Sequence, residues 1–365
     1  MDKQAALKQI YEHDFVPLLE ENLQALESEF QQNKTILTAD LVSAFREMCQ
    51  LIKNMQDRNE KAPLGYIHFS MLRTSILDQM YLYVIEAYSD EWYFDQVNCT
   101  VTYDASWAFR SLVSIIDVLD QKRKPYIGLL NRSDVERMVL SASHYFHQFV
   151  ATLLRLAVHQ MIEMPEYQSI QKAKCLFIRT GEFKDQSEQV YVEDLTPIHE
   201  NDLRQRLLDE GQTEHPFENV KGVTLRDLRV VEKDLRYSDF SMGDFSGSQF
   251  VNCVLLGTSW RSTKFRGADF SGSILSDADF SGSDLQHARF DGANGNIFRE
   301  GGYRTGLLGV RFTNANLDGA NLAGVDFGAQ VNFEGASMQG TILSKADQEH
   351  FRLSPLQLQT VQWVD

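Results

Sequence analysis

Three histidines have a spacing that could support chemistry. His144, His147 and His159 lie on one predicted helix, which runs from about residue 133 to about residue 161. Histidines three positions apart on a helix can share a metal ion. On a helical wheel, however, they fall opposite an apolar face of Phe, Val and Leu residues. We interpret them as solvent-facing or pocket-lining residues, with a metal site or a functional cleft as the alternatives.

Arg73 is the second candidate, because a helix predicted for residues 66–88 is apolar nearly all round and places Arg73 among its apolar residues. An arginine held in such a position needs a carboxylate or a bound anion. We expect a structural ion pair, and recognition of an anion or substrate is the alternative. The candidate partners are Asp78, Glu86 and Asp117.

The chain lacks the common catalytic motifs. It has no G-x-S-x-G elbow and no H-E-x-x-H pair, and the glycine-rich stretch at 301–306 lacks the Lys and Ser or Thr of a P-loop. We therefore predict no catalytic residue, no metal and no cofactor. Whether the protein is an enzyme stays open, and a non-enzymatic role is favoured.

The elements that would position these residues fall into two halves. Residues 1–195 predict a mainly α-helical domain, with helices at about 1–32, 39–55, 66–88, 104–119 and 133–161. Asn33 and Lys34 are expected to end the first helix, and Ser133 and Glu136 to form the capping box of the last. Leu176–Ile178 and Val190–Val192 predict a small β-hairpin. Residues 196–221 read as a linker or a short helix.

The second half has a period of five residues. A small or medium side chain lies two positions before nearly every large apolar residue. The large residues are Leu235, Phe240, Phe245, Phe250, Leu255, Trp260, Phe265, Phe270, Leu275, Phe280, Leu285 and Phe290. This period fits neither a helix nor a strand, so we predict a coil that turns a corner every five residues.

The repeats resemble the pentapeptide repeat family, for example in Ala268-Asp269-Phe270-Ser271-Gly272 and Ala315-Asn316-Leu317-Asp318-Gly319. The resemblance covers about a third of the chain and nothing before residue 221. It implies a right-handed quadrilateral β-solenoid over residues 222–347, with four pentapeptides per coil. The predicted fold class is thus α+β multidomain, with the helical domain followed by the solenoid.

The repeat has one interruption and one tail. Gly292–Arg311 is either a loop that leaves the coil, which we favour, or a degenerate coil, and its exposed binding candidates are Arg299, Tyr303 and Arg304. Residues 348–365 are expected to cap the last coil. The family resemblance implies that such a tail can also pair two molecules, so a homodimer is an additional hypothesis.

Charge and composition argue against some functional classes. The net charge is −16, which argues against direct nucleic-acid binding. The chain shows no membrane-spanning run and no leader, and its four scattered cysteines favour a reducing cytoplasm. From Gly222 onward, 17 acidic and 13 basic residues give a net charge of only −4.

Three functional hypotheses follow. The favoured one is a non-enzymatic bacterial protein that binds or scaffolds a protein partner through the repeat rod. A second makes the helical domain an enzyme or a small-molecule pocket, with the solenoid as a platform for the substrate. A third follows from the resemblance alone, because some pentapeptide repeat proteins modulate DNA gyrase by imitating DNA, although the weak charge of this rod counts against it.

Overall fold

The chain, in a computed structural model that describes residues 2–196, 199–300 and 303–365, forms two compact units, Met1–Glu193 and Asp194–Asp365. Within these described ranges, no helix has the length and apolar character needed to cross a bilayer.

The first unit contains eight α-helices and five strands among the described residues. The helices are α1 (Lys3–Ile10), α2 (Val16–Asp57), α3 (Arg73–Leu77), α4 (Ser106–Phe109), α5 (Ser111–Lys122), α6 (Arg132–Ser141), α7 (Ser143–Glu163) and α8 (Pro165–Ser169). The strands are β1 (Leu64–Met71), β2 (Leu82–Ser89), β3 (Thr100–Asp104), β4 (Lys172–Glu182) and β5 (Ser187–Asp194). A π-helical turn over Tyr11–Phe15 joins α1 to α2.

Helix α2 is much longer than the sequence suggested. The predicted end at Asn33 and Lys34 is wrong, because the helix continues to Asp57. Asn33 remains helical and its side-chain amide donates to the carbonyl oxygen of Glu29. The buried stripe continues through Leu37 and Leu41, so burial of one face outweighs the weak helix propensity of a single Asn.

The helix predicted for residues 66–88 is also wrong, because this segment forms β1, the short helix α3 and β2. These strands belong to a five-stranded sheet with the order β3-β2-β1-β4-β5. β1 is antiparallel to β2 and parallel to β4. Strands that are covered on both faces are rich in apolar residues, and this richness is what led to the assignment of a buried helix.

The sheet packs one face on the helices. The ring of Phe69 on β1 stacks on Phe45 of α2, with 6.2 Å between centroids. Helix α7 packs beside α2, where Phe30 and Phe149 meet edge to face at 5.9 Å. Because side chains alternate along a strand, the other face of β1 carries Tyr66 and the polar residues that follow it at every second position.

Other boundaries in the first unit differ in detail from prediction. The capping box lies at Asn131 and Asp134 rather than at Ser133 and Glu136. The helix it opens ends at Ser141, and α7 begins at Ser143, so the single helix predicted for 133–161 is two. The predicted hairpin is present as β4 and β5, which are neighbours in the sheet.

The second unit is built on a parallel ladder that joins residues twenty positions apart. Bridges connect Glu214 to Asp234, Asp234 to Val254 and Val254 to Ile274, so each turn holds four pentapeptides. The ladder starts at Glu214, inside the segment expected to be a linker, and helix α9 (Glu200–Leu208) precedes it. Leu203 and Leu207 of α9 join the apolar core of the stack and cover its first end.

The interior of the stack is filled by the repeating large residues. Phe250, Phe270 and Phe290 stack face to face, with centroids 5.7 and 5.1 Å apart. All three are fully buried, as is the small residue Ala268 two positions before Phe270. The large residues and the small residue two positions before them therefore both point into the stack.

The ladder accommodates two irregularities. Asp279 bridges Arg311, an offset of 32 residues instead of 20, and the additional residues form a hairpin of β8 (Phe298–Glu300) and β9 (Tyr303–Thr305). The favoured prediction of a loop is thus the one that the strand pairing supports. Arg311 bridges Asn332 with an offset of 21, so the register of the repeat shifts by one residue at this point. Strands β6 (Arg229–Val231) and β7 (Gln249–Val251) lie in the regular part.

The tail covers the last turn of the stack. After β10 (Ile342–Ser344) the chain forms α10 (Pro355–Thr360) and β11 (Gln362–Val364), and β11 pairs in parallel with β10. The Gln357 side chain donates to the carbonyl oxygens of Phe333 and Ala336 at 2.7 and 3.0 Å. These contacts agree with a cap, whereas the homodimer remains a prediction.

Candidate functional site

The sheet face away from the helices carries an acid, an imidazole and a guanidinium in one row. The register of β1 and β2 places His68 opposite Glu86, and the register of β1 and β4 places His68 opposite Arg179. Side chains directly opposite one another have Cβ atoms about 4.5–5.5 Å apart in an antiparallel pair. Strand register thus groups three chemically different side chains on one surface.

Glu86 is a buried carboxylate with an exposed fraction of 6%. Its Oε2 accepts a hydrogen bond from Ser70 Oγ at 3.0 Å, and its Oε1 accepts one from Tyr88 OH at 2.5 Å. No Lys, Arg or His of the described ranges lies within ion-pair distance of Glu86. Burial, and then the hydrogen bond to Glu86, raise the pKa of Tyr88, so its phenol stays a donor.

His68 is the most enclosed polar residue of the row, with an exposed fraction of 1%. The rings of Tyr88, Trp92 and Tyr93 surround it at centroid distances of 5.6–5.9 Å. Burial, and secondarily the charge of Arg179, lower the pKa of His68 to about 4, so its imidazole is neutral at pH 7. Its Nε2 has no hydrogen-bond partner in the part of the chain that the structure describes.

Arg179, on β4, is the third residue of the row. Its Nε donates to Ser187 Oγ at 3.0 Å, and its Nη2 donates to the carbonyl oxygen of Ser187 at 2.6 Å. The guanidinium also lies over the ring of Trp92, 5.4 Å from the centroid. Among the residues with described side chains, it has no carboxylate partner, so its charge is held by neutral groups and an aromatic face.

A short turn covers the row. Trp92 and Tyr93 belong to a 3₁₀ turn, and Trp92 has a φ of 55°, which bulky residues seldom adopt. Its ring stacks on Tyr66 with 4.4 Å between centroids. The turn is tied down by Asp95, whose Oδ2 accepts from Lys61 Nζ at 2.7 Å. Backbone strain at such a position is a feature of functional sites.

A cavity of about 260 Å³ opens between this turn, the strands β2 and β3 and the tip of the β4–β5 hairpin. Its lining includes Glu86, Tyr88, Tyr93, Cys99 and Lys184. Burial raises the pKa of Cys99 to about 11, so its thiol is protonated at neutral pH and is a poor nucleophile. This lining suits reversible binding better than covalent chemistry.

Arg73 lies elsewhere, at the start of the five-residue helix α3, and its side chain is 48% exposed. The prediction of a central helix around it was therefore wrong. Arg73 does form an ion pair, but its partner is Glu182 at the end of β4. Glu86, one of the partners proposed for it, belongs to the row described above.

The three predicted histidines do not form a common site. The Nδ1 atom of His147 lies 2.7 Å from Tyr83 OH, and burial lowers the pKa of His147 to about 4. His144 Nδ1 lies 2.7 Å from the carbonyl oxygen of Ser141, and the partly exposed His159 lies about four turns further along α7. In the described ranges, no group of three His, Cys, Asp or Glu side chains could hold a metal.

Three predicted binding residues, Arg299, Tyr303 and Arg304, lie on the interruption of the repeat. Arg304 was expected to be exposed, but its side chain is buried, so that expectation is corrected. The side chains of Arg299 and Tyr303 lie outside the described part of the structure, although both backbones belong to the β8 and β9 hairpin. Their role as binding residues remains a prediction.

Sequence reasoning missed the row because it assigned its strands to a helix. A signal was present, since Tyr66, His68 and Ser70 alternate with the apolar Ile67 and Phe69. This period of two predicts a strand with one chemically distinct face. The partners on β2 and β4 could not be matched to it without the register.

Comparisons with known proteins concern the second unit. The family model for pentapeptide repeats matches eight copies, over residues 243–282, 263–294 and 307–328. No curated protein matched the chain. The residues before 243 have no family match among these findings, so the row on the sheet has no counterpart to compare.

Several solved structures are similar to part of the chain. The pentapeptide repeat protein Rfr23 from the cyanobacterium Cyanothece 51142 is 23% identical, covers 40% of this chain and 95% of its own, and has a TM-score of 0.23. The pentapeptide repeat protein alr5209 from Nostoc Pcc 7120 is 21% identical over 32% of this chain and 84% of its own, with a TM-score of 0.26. QnrB1, a plasmid-mediated fluoroquinolone resistance protein, is 18% identical over 42% and 94%, with a TM-score of 0.18.

Proposed function

Because the C-terminal part of this chain, over residues 243–294 and 307–328, consists of pentapeptide repeats, we propose that it is a non-enzymatic scaffold that binds a protein partner. In this proposal the stack is a right-handed quadrilateral β-solenoid, and its outer surface is the binding surface. The first unit supplies a second functional surface.

The observation that carries this proposal is the filling of the stack by its own side chains. The rings of Phe240 and Trp260 stack with 4.6 Å between centroids, and those of Phe312 and Phe333 stack with 5.4 Å between centroids. Ring contacts are thus present both in the regular turns and where the ladder offset changes to 21. Packing of this kind leaves no interior room for a ligand. Binding by the repeats therefore has to use the outside.

The hairpin of β8 and β9 is the proposed contact on that outer surface. The carboxylate of Asp277 accepts from the backbone N–H groups of Gly306 and Leu308 at 3.1 and 2.7 Å, which fixes the base of the hairpin to the stack. Phe298 is 60% exposed, an unusual state for a phenylalanine. An exposed aromatic residue on a fixed base is a suitable anchor for a protein partner.

The alternative of a DNA mimic that modulates gyrase is less well supported by the surface charges. A DNA-like surface needs carboxylates without cationic neighbours, but arginines neutralise several carboxylates of the stack. Arg226 Nε lies 2.9 Å from Asp244, and Arg266 Nε lies 2.7 Å from Asp284. Arg311 Nη2 lies 3.3 Å from Asp279. These pairs support a mixed surface suited to a protein partner.

An affinity-capture experiment with a matched control tests the proposal. The full chain is used as bait in a lysate of its own source, and the captured partner is then purified for titration. We expect Phe298→Ser to weaken the affinity of that partner at least about tenfold, because interface anchors contribute about 2 kcal/mol or more. Met242→Ser, at a residue 62% exposed elsewhere on the stack, is the control and should have no effect.

Two outcomes would contradict the proposal. The first is equal affinity of the partner for the Phe298→Ser variant, the Met242→Ser variant and the unchanged protein. The second is inhibition or quinolone protection of purified gyrase in a supercoiling assay, which would favour the DNA-mimic alternative. Light scattering of the purified chain separately tests the predicted homodimer.

A further inference from the structure

The cavity of the first unit contains two opposite charges that do not neutralise each other. Glu86 lies on its β2 wall, and Lys184 lies at the tip of the β4–β5 hairpin. The two side chains line the same cavity of about 260 Å³, yet they form no ion pair with each other or with any residue whose side chain is described. A buried charge that lacks a partner in the protein is suited to one supplied by a ligand.

The carboxylate of Glu86 can accept hydrogen bonds from a cationic group of a ligand in the cavity. A carboxylate offers about four acceptor positions, and Ser70 Oγ and Tyr88 OH occupy two of them. These two hydroxyl groups fix the orientation of the carboxylate while leaving its charge uncompensated. A ligand ammonium group could donate to the remaining positions and provide the missing charge.

The other acid of the lining does not compete for that ammonium. Asp95 Oδ2 accepts from Lys61 Nζ and from the backbone N–H of Ser89, and its Oδ1 accepts from the N–H of Val97. Its charge is already balanced by Lys61. Arg179 is separated from Glu86 by strand β1, which places the two backbones roughly 10 Å apart.

The ammonium group of Lys184 can bind an anionic group of a ligand in the cavity. Lys184 occupies the turn after β4 with a φ of 54°, and its ammonium lies 5.2 Å from the centroid of the Phe183 ring. The side chain is exposed, so its ammonium can approach a ligand carboxylate at the open side of the cavity. The rings of Tyr88 and Tyr93 also belong to the cavity lining.

From this arrangement we infer that the cavity binds a small zwitterion, with its ammonium group at Glu86 and its carboxylate group at Lys184. A free α-amino acid is the chemical class that fits. The cavity volume of about 260 Å³ is large enough for a single amino acid. The tyrosine rings would contact its side chain.

The experiment measures binding of free amino acids to the full chain. Thermal shift with each of the common amino acids selects the best ligand, and calorimetric titration gives its affinity. The same ligand is then compared with its decarboxylated amine and its N-acetyl derivative. We expect both derivatives to bind at least about tenfold more weakly, because each lacks one charged contact.

Variants assign each end of the ligand. Glu86→Gln should weaken the amino acid at least about tenfold and leave the N-acetyl derivative unchanged. Lys184→Gln should weaken the amino acid by a similar factor and leave the decarboxylated amine unchanged. Lys174→Gln, at an exposed lysine on β4, is the matched control and should leave all three affinities unchanged.

Several results would overturn the inference. One is the absence of binding for every amino acid at millimolar concentration, and another is equal affinity for the amino acid and its two derivatives. Unchanged affinity in the Lys184→Gln variant would do the same, and this exposed position keeps the test valid if Glu86→Gln fails to fold. The inference does not depend on the proposed role of the repeats.

Discussion

Replacing Lys61 with methionine tests how the turn over the sheet is held. Lys61 Nζ donates to Asp95 Oδ2 at 2.7 Å and to the carbonyl oxygen of Val97 at 3.1 Å. The Lys61 and Asp95 side chains are 0% and 6% exposed. Methionine has a similar length and no charge, so Lys61→Met leaves the carboxylate of Asp95 buried without a counter-charge.

We expect Lys61→Met to lower the free energy of unfolding of the first unit by about 3 kcal/mol. Removing one partner of a buried ion pair costs about 3–5 kcal/mol, and Asp95 keeps its hydrogen bonds from the Ser89 and Val97 N–H groups. The lower end of that range therefore applies. Asp95→Asn should also destabilise, and the double variant should recover about 2 kcal/mol relative to the sum of the single changes.

The effect should depend on pH. Burial raises the pKa of Asp95, but the hydrogen bonds from Lys61, Ser89 and Val97 outweigh it, so the folded-state pKa lies below the ordinary value. A lowered folded-state pKa stabilises the protein fully above the unfolded pKa of about 3.9, and this stabilisation is lost as the pH falls through the folded value. The difference between the unchanged protein and Lys61→Met should shrink below about pH 4.

Hydrogen exchange followed by mass spectrometry measures this effect, because peptides from β1 and β2 report on the first unit alone. The reasoning would be refuted by a Lys61→Met cost below about 1 kcal/mol at pH 7, or by strict additivity in the double variant. Lys53→Met, at a partly exposed i,i+4 pair with Asp57, is a control and should cost under about 1 kcal/mol.

Two further predictions concern glycine corners and thiols. Gly267→Ala, at a φ of 66° with open space around it, should cost about 1–2 kcal/mol in urea unfolding of the stack. Gly309→Ala should cost more, because its Cβ would lie 2.3 Å from the carbonyl oxygen of Gln330, and an equal cost would contradict this. With iodoacetamide at pH 7.5, we expect mass spectrometry of the native protein to show labelling first at the partly exposed Cys175. Burial raises the pKa of Cys99 to about 11, so faster labelling of Cys99 would contradict the packing described here.

The repeat half could be predicted because its packing is local and periodic. Each large residue, such as Phe270, stacks on residues twenty positions away in the same register, so one short pattern contains the geometry of the whole stack. The hairpin and the one-residue slip also appear as breaks in that pattern. The buried state of Arg304 was not predictable, since it depends on how an irregular segment folds back.

The first half was less predictable because its contacts are distant in the sequence. The strand at Tyr66–Ser70 pairs with β4, which lies more than one hundred residues away in the sequence. The row of His68, Glu86 and Arg179 exists only once that register is set. Local signals were also ambiguous. Ser133 and Glu136 have the spacing of a helix capping box, but Asn131 and Asp134 have the same spacing, and they form the box in the structure.

The two ends of the stack are closed by dissimilar pieces, Leu203 and Leu207 of α9 at one side and the segment around Gln357 at the other. Because neither piece touches the middle turns, the number of those turns is not constrained by the ends. A gene could gain or lose sixty bases per turn, and the stack would change in height while the segments at its two ends kept their contacts. The height of the stack is therefore adjustable by duplication alone.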